Sequence, residues 1–201
     1  MMGNPDNKDA HANLIQHIPS NTTGAEIGVW EGNTSKLMLN KNLKHLHLVD
    51  SWSTVPYKNQ PNNEHGSYEQ YLLKYQRLTG RPDEESFKKY YDSIYEKVVS
   101  KFKNNTNVTI HRQTSKEWFE TFSEDLLDWI YVDGDHSYEG CLYDLNQAKD
   151  VVKPGGFIFG DDYRWTIRHG KVGVTKAVKE FVAENNYNIE QIGMLQFKIV
   201  I

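Results

Sequence analysis

Four carboxylates close two short apolar runs in this chain. Trp129-Ile130-Tyr131-Val132 ends in Asp133-Gly134-Asp135-His136, and Gly155-Gly156-Phe157-Ile158-Phe159-Gly160 ends in Asp161-Asp162-Tyr163. Any one Asp at such a place reads as a turn former or a helix N-cap. Together they ask for more. Two unit negative charges about 5 Å apart repel by about 3 kcal/mol at an effective dielectric of about 20. Converging carboxylates therefore share protons or hold a cation. An all-oxygen cluster suits a hard ion, Mg²⁺ first and Mn²⁺ or Ca²⁺ next.

The elements that must position these acids are legible. Each run is too short for a helix and is bounded by Gly or turn residues, as a buried parallel strand is. Tyr138 to Asp150 has helical spacing between them. A right-handed strand–helix–strand crossover brings both strand ends to one edge of a sheet. That edge of an open α/β sheet is where ligands bind.

A second strand-to-helix turn lies upstream, at Glu26-Ile27-Gly28-Val29-Trp30-Glu31-Gly32. Gly28 supplies a tight turn, and Gly32 allows close approach near a helix start. Asp50 follows Gly32 by 18 residues, at the end of the next apolar run, where an acid would grip a ribose. Two cofactors compete for such a turn. A dinucleotide needs a middle Gly so that its pyrophosphate can approach the backbone, and Trp30 stands there. Glu26 and Glu31 would also repel a pyrophosphate. S-adenosylmethionine has no phosphate, and acidic neighbours favour its ammonium and sulfonium.

The rest of the pattern alternates strands and helices. Leu14, Ile15 and Ile18 mark a short helix ended by Pro19, after a loose tail over residues 1–10. Strands are expected at Ala25–Trp30, Leu46–Val49 and Val108–His111, with helices from Gly32 through Leu39 and from about Ser115 to Phe122. Val174, Val178, Phe181 and Val182 mark a late helix, and residues 188–192 and 195–201 a closing antiparallel pair. Residues 53–103 break the alternation and read as a helical insert or cap. Their later part opens at Pro82 and carries apolar residues at Phe87, Tyr90, Tyr91, Ile94, Val98 and Phe102, a long amphipathic helix. The insert tyrosines, including Tyr57, Tyr71 and Tyr75, are candidates to line a pocket. Tyr91 and Tyr95 are expected to pack on the sheet or on a second copy of the chain, which leaves a homo-oligomer open. Residues 1–201 then form one three-layer α/β domain with a mainly parallel sheet.

Composition narrows the classes. The formal charge of −4 over 201 residues is mild and leaves no footprint for nucleic acid. No apolar run reaches membrane-spanning length and the N-terminus is unlike a signal peptide, so a cytoplasmic protein is expected. The single Cys141 excludes an internal disulfide and a thiolate metal site, and reads as a core residue. His11, His17, His45, His47 and His65 read as scattered. Arg164, Trp165, Arg168 and His169 lie where a substrate could reach them.

The segments Glu26 to Ser35, Leu48-Val49-Asp50-Ser51-Trp52, Val132 to Gly140 and Val152 to Tyr163 together resemble class I methyltransferases that use S-adenosylmethionine. The branch they resemble is that of the macrocin and aminocoumarin sugar O-methyltransferases. The resemblance covers roughly residues 20–165. It implies a Rossmann-like three-layer sandwich whose seven-stranded, mainly parallel sheet ends in an antiparallel C-terminal hairpin. It implies cofactor contacts at Glu26, Gly28, Gly32, Asp50 and Asp133, and an adenine border at Thr114 and Ser115. It implies metal ligands at Asp133, Asp161 and Asp162; some relatives have His where Asp161 stands.

The chemistry expected of such a site is methyl transfer to a small-molecule hydroxyl on a sugar, glycoside or other diol. A hydroxyl with a pKa of roughly 15 needs a metal or a base to become a nucleophile. Asp135 and His136 are the candidate bases. His136 has the better intrinsic pKa, and the resemblance favours Asp135. Either has a plainer role, His136 as a helix cap and Asp135 as support for the metal ligands. Two rival functions are a metal-dependent nucleotide-sugar glycosyltransferase and a non-catalytic cofactor-binding protein. The first leaves Asp161, Asp162 and the Gly turn unexplained. The second has no need of the repulsion.

Overall fold

Seven apolar segments pair into one sheet in a computed structural model that describes residues 13–58, 66–163 and 173–201. They are β1 (Thr23–Ile27), β2 (His45–Asp50), β3 (Val108–Arg112), β4 (Leu127–Val132), β5 (Val152–Gly160), β6 (Ile189–Ile192) and β7 (Gln196–Val200), in the order β3-β2-β1-β4-β5-β7-β6. The first five are parallel, and β7 runs antiparallel to both β5 and β6. This is the expected Rossmann-like sheet with its reversed closing pair.

Helices cover both faces, which is why the central strands read as unbroken apolar runs. Ile130 and Val132 face a core completed by Trp118, Cys141, Leu145 and Phe181. Trp129 and Tyr131, one residue out of step, face a second core with Leu14, Met38, Phe87, Ile94 and Val98. The helices are α1 (Asn33–Met38), α2 (Val55–Lys58), α3 (Tyr68–Thr79), α4 (Glu84–Phe102), α5 (Ser115–Thr121), α6 (Tyr138–Val151) and α7 (Gly173–Asn185), with a 3₁₀ turn at Leu39–Lys41.

Two boundaries differ from expectation for local reasons. The first strand ends at Ile27 rather than Trp30, because Gly28 (φ 90°) and Trp30 (φ 51°) both turn into the left-handed region. The long helix starts at Glu84, not at Pro82. Asp83 caps it by accepting from the Ser86 N–H at 2.9 Å, so Pro82 lies one residue outside the cap.

Among its described residues the insert has three helices, α2, α3 and α4. Ser67 and Gln70 form a capping box on α3, and Gly80 ends it in the left-handed conformation. Its tyrosines stack on one another: the Tyr57 and Tyr71 rings are 4.1 Å apart, and the Tyr71 and Tyr91 hydroxyls 2.6 Å apart. The histidines are less scattered than they read. Parallel pairing of β2 and β3 gathers His45, His47 and His111, with His47 Nδ1 3.1 Å from His111 Nε2. Burial, then the two neighbouring imidazoles, lower the His47 pKa to about 4. Among the described residues no helix is long and apolar enough to cross a membrane. The tail at residues 1–10 and the group Arg164, Trp165, Arg168 and His169 lie outside the described residues.

Candidate active site

The ends of β1, β2, β4 and β5 converge at one edge of the sheet. At the first of them the Gly28 N–H donates to the Val49 carbonyl at 2.9 Å, and the Asp133 N–H donates to the Ile27 carbonyl at 2.8 Å. A Cβ added to Gly28 would run into the Asp133 carbonyl, so only glycine lets β1 and β4 close here. Gly32 serves a different approach from the one expected. Its missing Cβ would lie 2.7 Å from the Phe102 ring, so it admits the last turn of α4. The neighbouring Lys101 Nζ donates to the Glu31 carbonyl and, at 2.9 Å, to Asn33 Oδ1. The insert is thus bound to the turn.

Asp50 organises that turn. Its Oδ2 accepts from the Val29 N–H at 3.1 Å and the Trp30 N–H at 2.9 Å, and its Oδ1 accepts from the Trp52 N–H at 2.8 Å. Burial raises its pKa, and these three bonds hold the rise back. Oδ1 keeps a lone pair for a further donor. Glu26 is 1 % exposed and accepts from the Ser35 hydroxyl. Burial pushes its carboxyl well above the usual range, and the charges of Asp133 and Asp50 add to the rise. Tyr57 of α2 roofs this region. Burial raises its phenol, and the charges of Asp50 and Asp135 both contribute.

The acids after β4 and β5 do not all meet. His136 lies between two of them, with Nδ1 3.0 Å from Asp162 Oδ2 and Nε2 3.5 Å from Asp133 Oδ1. Burial alone would lower its pKa; bonding to both carboxylates and their charge outweigh that and hold it well above its ordinary value. Burial raises Asp133 to about 7. Asp161 lies near enough for its charge to raise Asp133, and it is tied from β7 as well. Its Oδ1 accepts from Gln196 Nε2 at 2.6 Å and from the Asp162 N–H at 2.8 Å. Asp162 itself holds φ 58°, an uncommon conformation for a residue other than glycine. Among the described residues no three His, Cys, Asp or Glu side chains stand together as an ion site. The expected ligand trio Asp133, Asp161 and Asp162 is therefore not assembled. Gln196 holds one member through Oδ1, and the imidazole stands between the other two.

Asp135 is also drawn off, toward the start of α6. Its Oδ1 accepts from the Ser137 N–H at 2.8 Å, and its other oxygen crowds the space above Gly140. That favours His136 over Asp135 as the group an acceptor would meet; the His136 side chain is 39 % exposed. Thr114 is a cap as well. Its Oγ1 accepts from the Glu117 N–H at 3.2 Å, and Glu117 reaches back to the Thr114 N–H at 2.8 Å. Ser115 is half-buried beside it.

One acid escaped the sequence reading. Asp144 shares the buried stripe of α6 with Cys141, Leu145 and Ala148 and is 1 % exposed. Neither of its carboxylate oxygens has a hydrogen-bond partner. Burial raises its pKa to about 7; the nearby Ser115 hydroxyl opposes the rise and the Asp135 charge adds to it. The signal was available: a carboxylate in an i, i+3, i+4, i+7 apolar stripe.

A seven-stranded sheet in this order, with a Gly turn after β1 and acids after β2 and β4, defines a Rossmann-like methyltransferase fold. The family model described as a methyltransferase domain matches residues 25–163, and the chain belongs to that family. It is 26 % identical over 204 residues to an uncharacterised protein of Acanthamoeba polyphaga mimivirus, a match spanning 91 % of this chain and 74 % of that one. Its fold is similar to that of the N-methyltransferase NodS from Bradyrhizobium japonicum WM9, with a TM-score of 0.63 and 13 % identity over 100 % of this chain and 98 % of that one. It is also similar to the O-methyltransferase NovP, with a TM-score of 0.59 and 18 % identity over 96 % of this chain and 76 % of that one. The chain is accordingly an S-adenosylmethionine-dependent methyltransferase in general class.

The residues present fit that cofactor. S-adenosylmethionine offers hydrogen-bond donors at its ammonium, ribose and adenine, and the edge offers acceptors in Asp50 Oδ1 and Asp133. The residues do not fit a divalent ion as they stand.

Proposed function

We propose that this chain transfers the methyl group of S-adenosylmethionine to a hydroxyl oxygen of a small molecule, with His136 as the proton acceptor. The observation that carries the reading is the His136–Asp162 contact of 3.0 Å at the ligand-binding edge. A carboxylate on Nδ1 fixes the imidazole tautomer, and Nε2, 3.5 Å from Asp133 Oδ1, takes a proton once the paired imidazolium has released its own, so this base works above the raised pKa of His136. Nitrogen acceptors need less help, because a neutral amine is already a nucleophile; an oriented base is what a hydroxyl requires.

When bound, the cofactor supplies an electrophilic methyl group on a sulfonium. The chain's own residues then have three tasks. Asp50 shapes the turn through the Val29 and Trp30 N–H groups and offers Oδ1 to the ribose. A cationic ligand at the edge would favour the ionised forms of Glu26 and Asp133, whose carboxyls burial otherwise keeps protonated to higher pH than usual. His136 Nε2 takes the hydroxyl proton as the acceptor oxygen aligns, and Asp162 steadies the imidazolium. A divalent ion is a finer expectation, drawn from the carboxylate cluster in the sequence and from the resemblance. Because the side chains do not fit one as arranged, no step runs through it.

A sugar, glycoside or similar diol is the acceptor class we favour. Trp30, 42 % exposed, packs near Tyr90 and Tyr91 and offers a ring face beside the turn. The test is a methyl-transfer screen over sugars, glycosides, catechols and amines, reading S-adenosylhomocysteine release. Transfer to hydroxyls that is lost in His136→Ala supports the reading. Transfer to amines alone, or full activity in His136→Ala, overturns it.

A further inference from the structure

Gln196, the first residue of β7, is fully buried, yet only half of its amide is used. Nε2 donates to Asp161 Oδ1 at 2.6 Å, and among the described residues no donor reaches Oε1. A buried carbonyl oxygen without a donor is unfavourable. An apolar side chain of the same length would avoid that cost, so the amide is explained by what Nε2 holds. Turned over, it would set Oε1 against a carboxylate; the charge of Asp161 therefore fixes which way it points.

What Nε2 holds leads to the base. The same Asp161 Oδ1 accepts the Asp162 N–H at 2.8 Å. Asp162 stands at φ 58°, a conformation that a residue with a Cβ keeps only where its surroundings over-determine it. Here they do so twice. Asp161 takes the N–H of Asp162, and the Leu195 carbonyl takes the N–H of the next residue, Tyr163, at 2.8 Å. Leu195 and Gln196 adjoin, so two consecutive residues at the entry to β7 clamp the turn after β5. From this clamped backbone Asp162 Oδ2 reaches His136 Nδ1 at 3.0 Å. A return of Asp162 to negative φ would re-aim its side chain.

We propose that Gln196 is a positioning residue for the base: through Asp161 it holds the left-handed backbone of Asp162, and so aims the Asp162 carboxylate at His136 Nδ1. The proposal rests on His136 as the proton acceptor. It makes the tautomer of the imidazole depend on a residue of the closing hairpin. A carboxylate at Nδ1 keeps the proton there in the neutral ring and leaves Nε2 for the acceptor hydroxyl. Asp133, 3.5 Å from Nε2, competes for that proton. Loss of Asp162 from Nδ1 therefore moves the proton to the nitrogen that must be free.

The experiment is heteronuclear NMR of the full chain with its histidines labelled at nitrogen, recorded up to about pH 10 so that the neutral ring is reached. His136 is identified by its loss in His136→Ala. Gln196→Met matches the length of the side chain and removes both the donor and the orphaned oxygen. In that variant the ratio of Nδ1–H to Nε2–H in the neutral His136 ring should fall at least about tenfold from its wild-type value. S-adenosylhomocysteine should bind both proteins within about twofold, and Asp162→Asn combined with Gln196→Met should change the ratio no more than Asp162→Asn does, because the residues act in series. Gln196→Asn, whose amide stops one methylene short of Asp161, carries the test if Gln196→Met does not fold. An unchanged ratio in a folded variant, or a fall matched by an equal loss of S-adenosylhomocysteine affinity, overturns the role of Gln196 alone. Full methyl transfer in His136→Ala overturns the base, and this proposal with it.

Discussion

The carboxylate of Asp50 holds the backbone of Trp30, its Oδ2 accepting the Trp30 N–H at 2.9 Å while the Trp30 carbonyl accepts the Trp52 indole N–H at 2.8 Å. The acid at the end of β2 is therefore part of the turn after β1. A left-handed tryptophan persists in that turn because both its polar backbone groups are tied to β2 and the residues just after it.

Asp50→Ala should act on stability and on binding together. Each lost bond to a charged acceptor is worth about 1.5–3 kcal/mol, and the bonds are not additive, so a destabilisation of roughly 3 kcal/mol is expected. S-adenosylhomocysteine should bind at least about tenfold more weakly. Thermal unfolding and calorimetry on the same preparation check both. Weaker binding with no change in melting temperature would assign Asp50 to the ribose alone.

His136 and Asp135 are separable by what else they do. His136→Ala should lower turnover by about 10²–10⁴ with little change in S-adenosylhomocysteine affinity. Asp135→Asn should lose support at the start of α6, about 1 kcal/mol of stability, and cost turnover less than about tenfold. Single-turnover rates and denaturant titrations read the two effects. The opposite ranking of turnover would return the base to Asp135.

Divalent ions should do little to the chain by itself. To bind one between Asp133 and Asp162, His136 must leave the carboxylate pair. Millimolar Mg²⁺ should leave the melting temperature within about a degree of its ion-free value, since little is gained when a site must first be rearranged. A rise that disappears in Asp162→Asn would show that the side chains re-sort around an ion.

Asp144 should make the ligand-free chain less stable as the pH rises. Its pKa is about 7 in the folded chain. In the unfolded chain it is near the ordinary value of about 3.9. The folded state therefore keeps the proton to higher pH. The unfavourable contribution is absent below about pH 4, grows as pH rises toward 7, and is complete above it. A shift of about three units corresponds to an upper bound of about 4 kcal/mol. Asp144→Asn should flatten this limb and raise the melting temperature at pH 8 more than at pH 4.5. Equal changes at the two pH values would mean that the carboxyl is solvated in the folded chain.

What could be read in advance followed from local pattern. Apolar runs ending at Asp50, Asp133 and Asp161 are strands because both their faces are covered, and a chain of alternating strands and helices closes into this sheet. The insert was less legible, since the tyrosines of α3 and α4 bury against each other instead of forming a clean apolar stripe. The site divides in the same way. That Asp133 and His136 would share an edge follows from their spacing. That Asp161 would be held by Gln196 is not legible locally, because the amide arrives from β7, 35 residues later. The unpaired state of Asp144 depends on three packed elements and shows in sequence only as a polar interruption of a stripe.

The Lys101 and Phe102 contacts with Glu31, Gly32 and Asn33 have an evolutionary and engineering consequence. A domain that recognises new acceptors by exchanging its insert would ordinarily be treated as a scaffold with a replaceable cassette. Here the last turn of the cassette is also the buttress of the scaffold's own turn. A grafted insert that lacks the basic–aromatic pair at its C-terminal end would remove the ring seated on Gly32 as well as the ammonium over Glu31. A replacement insert is therefore constrained at residues 101 and 102 whatever it carries in α2 and α3.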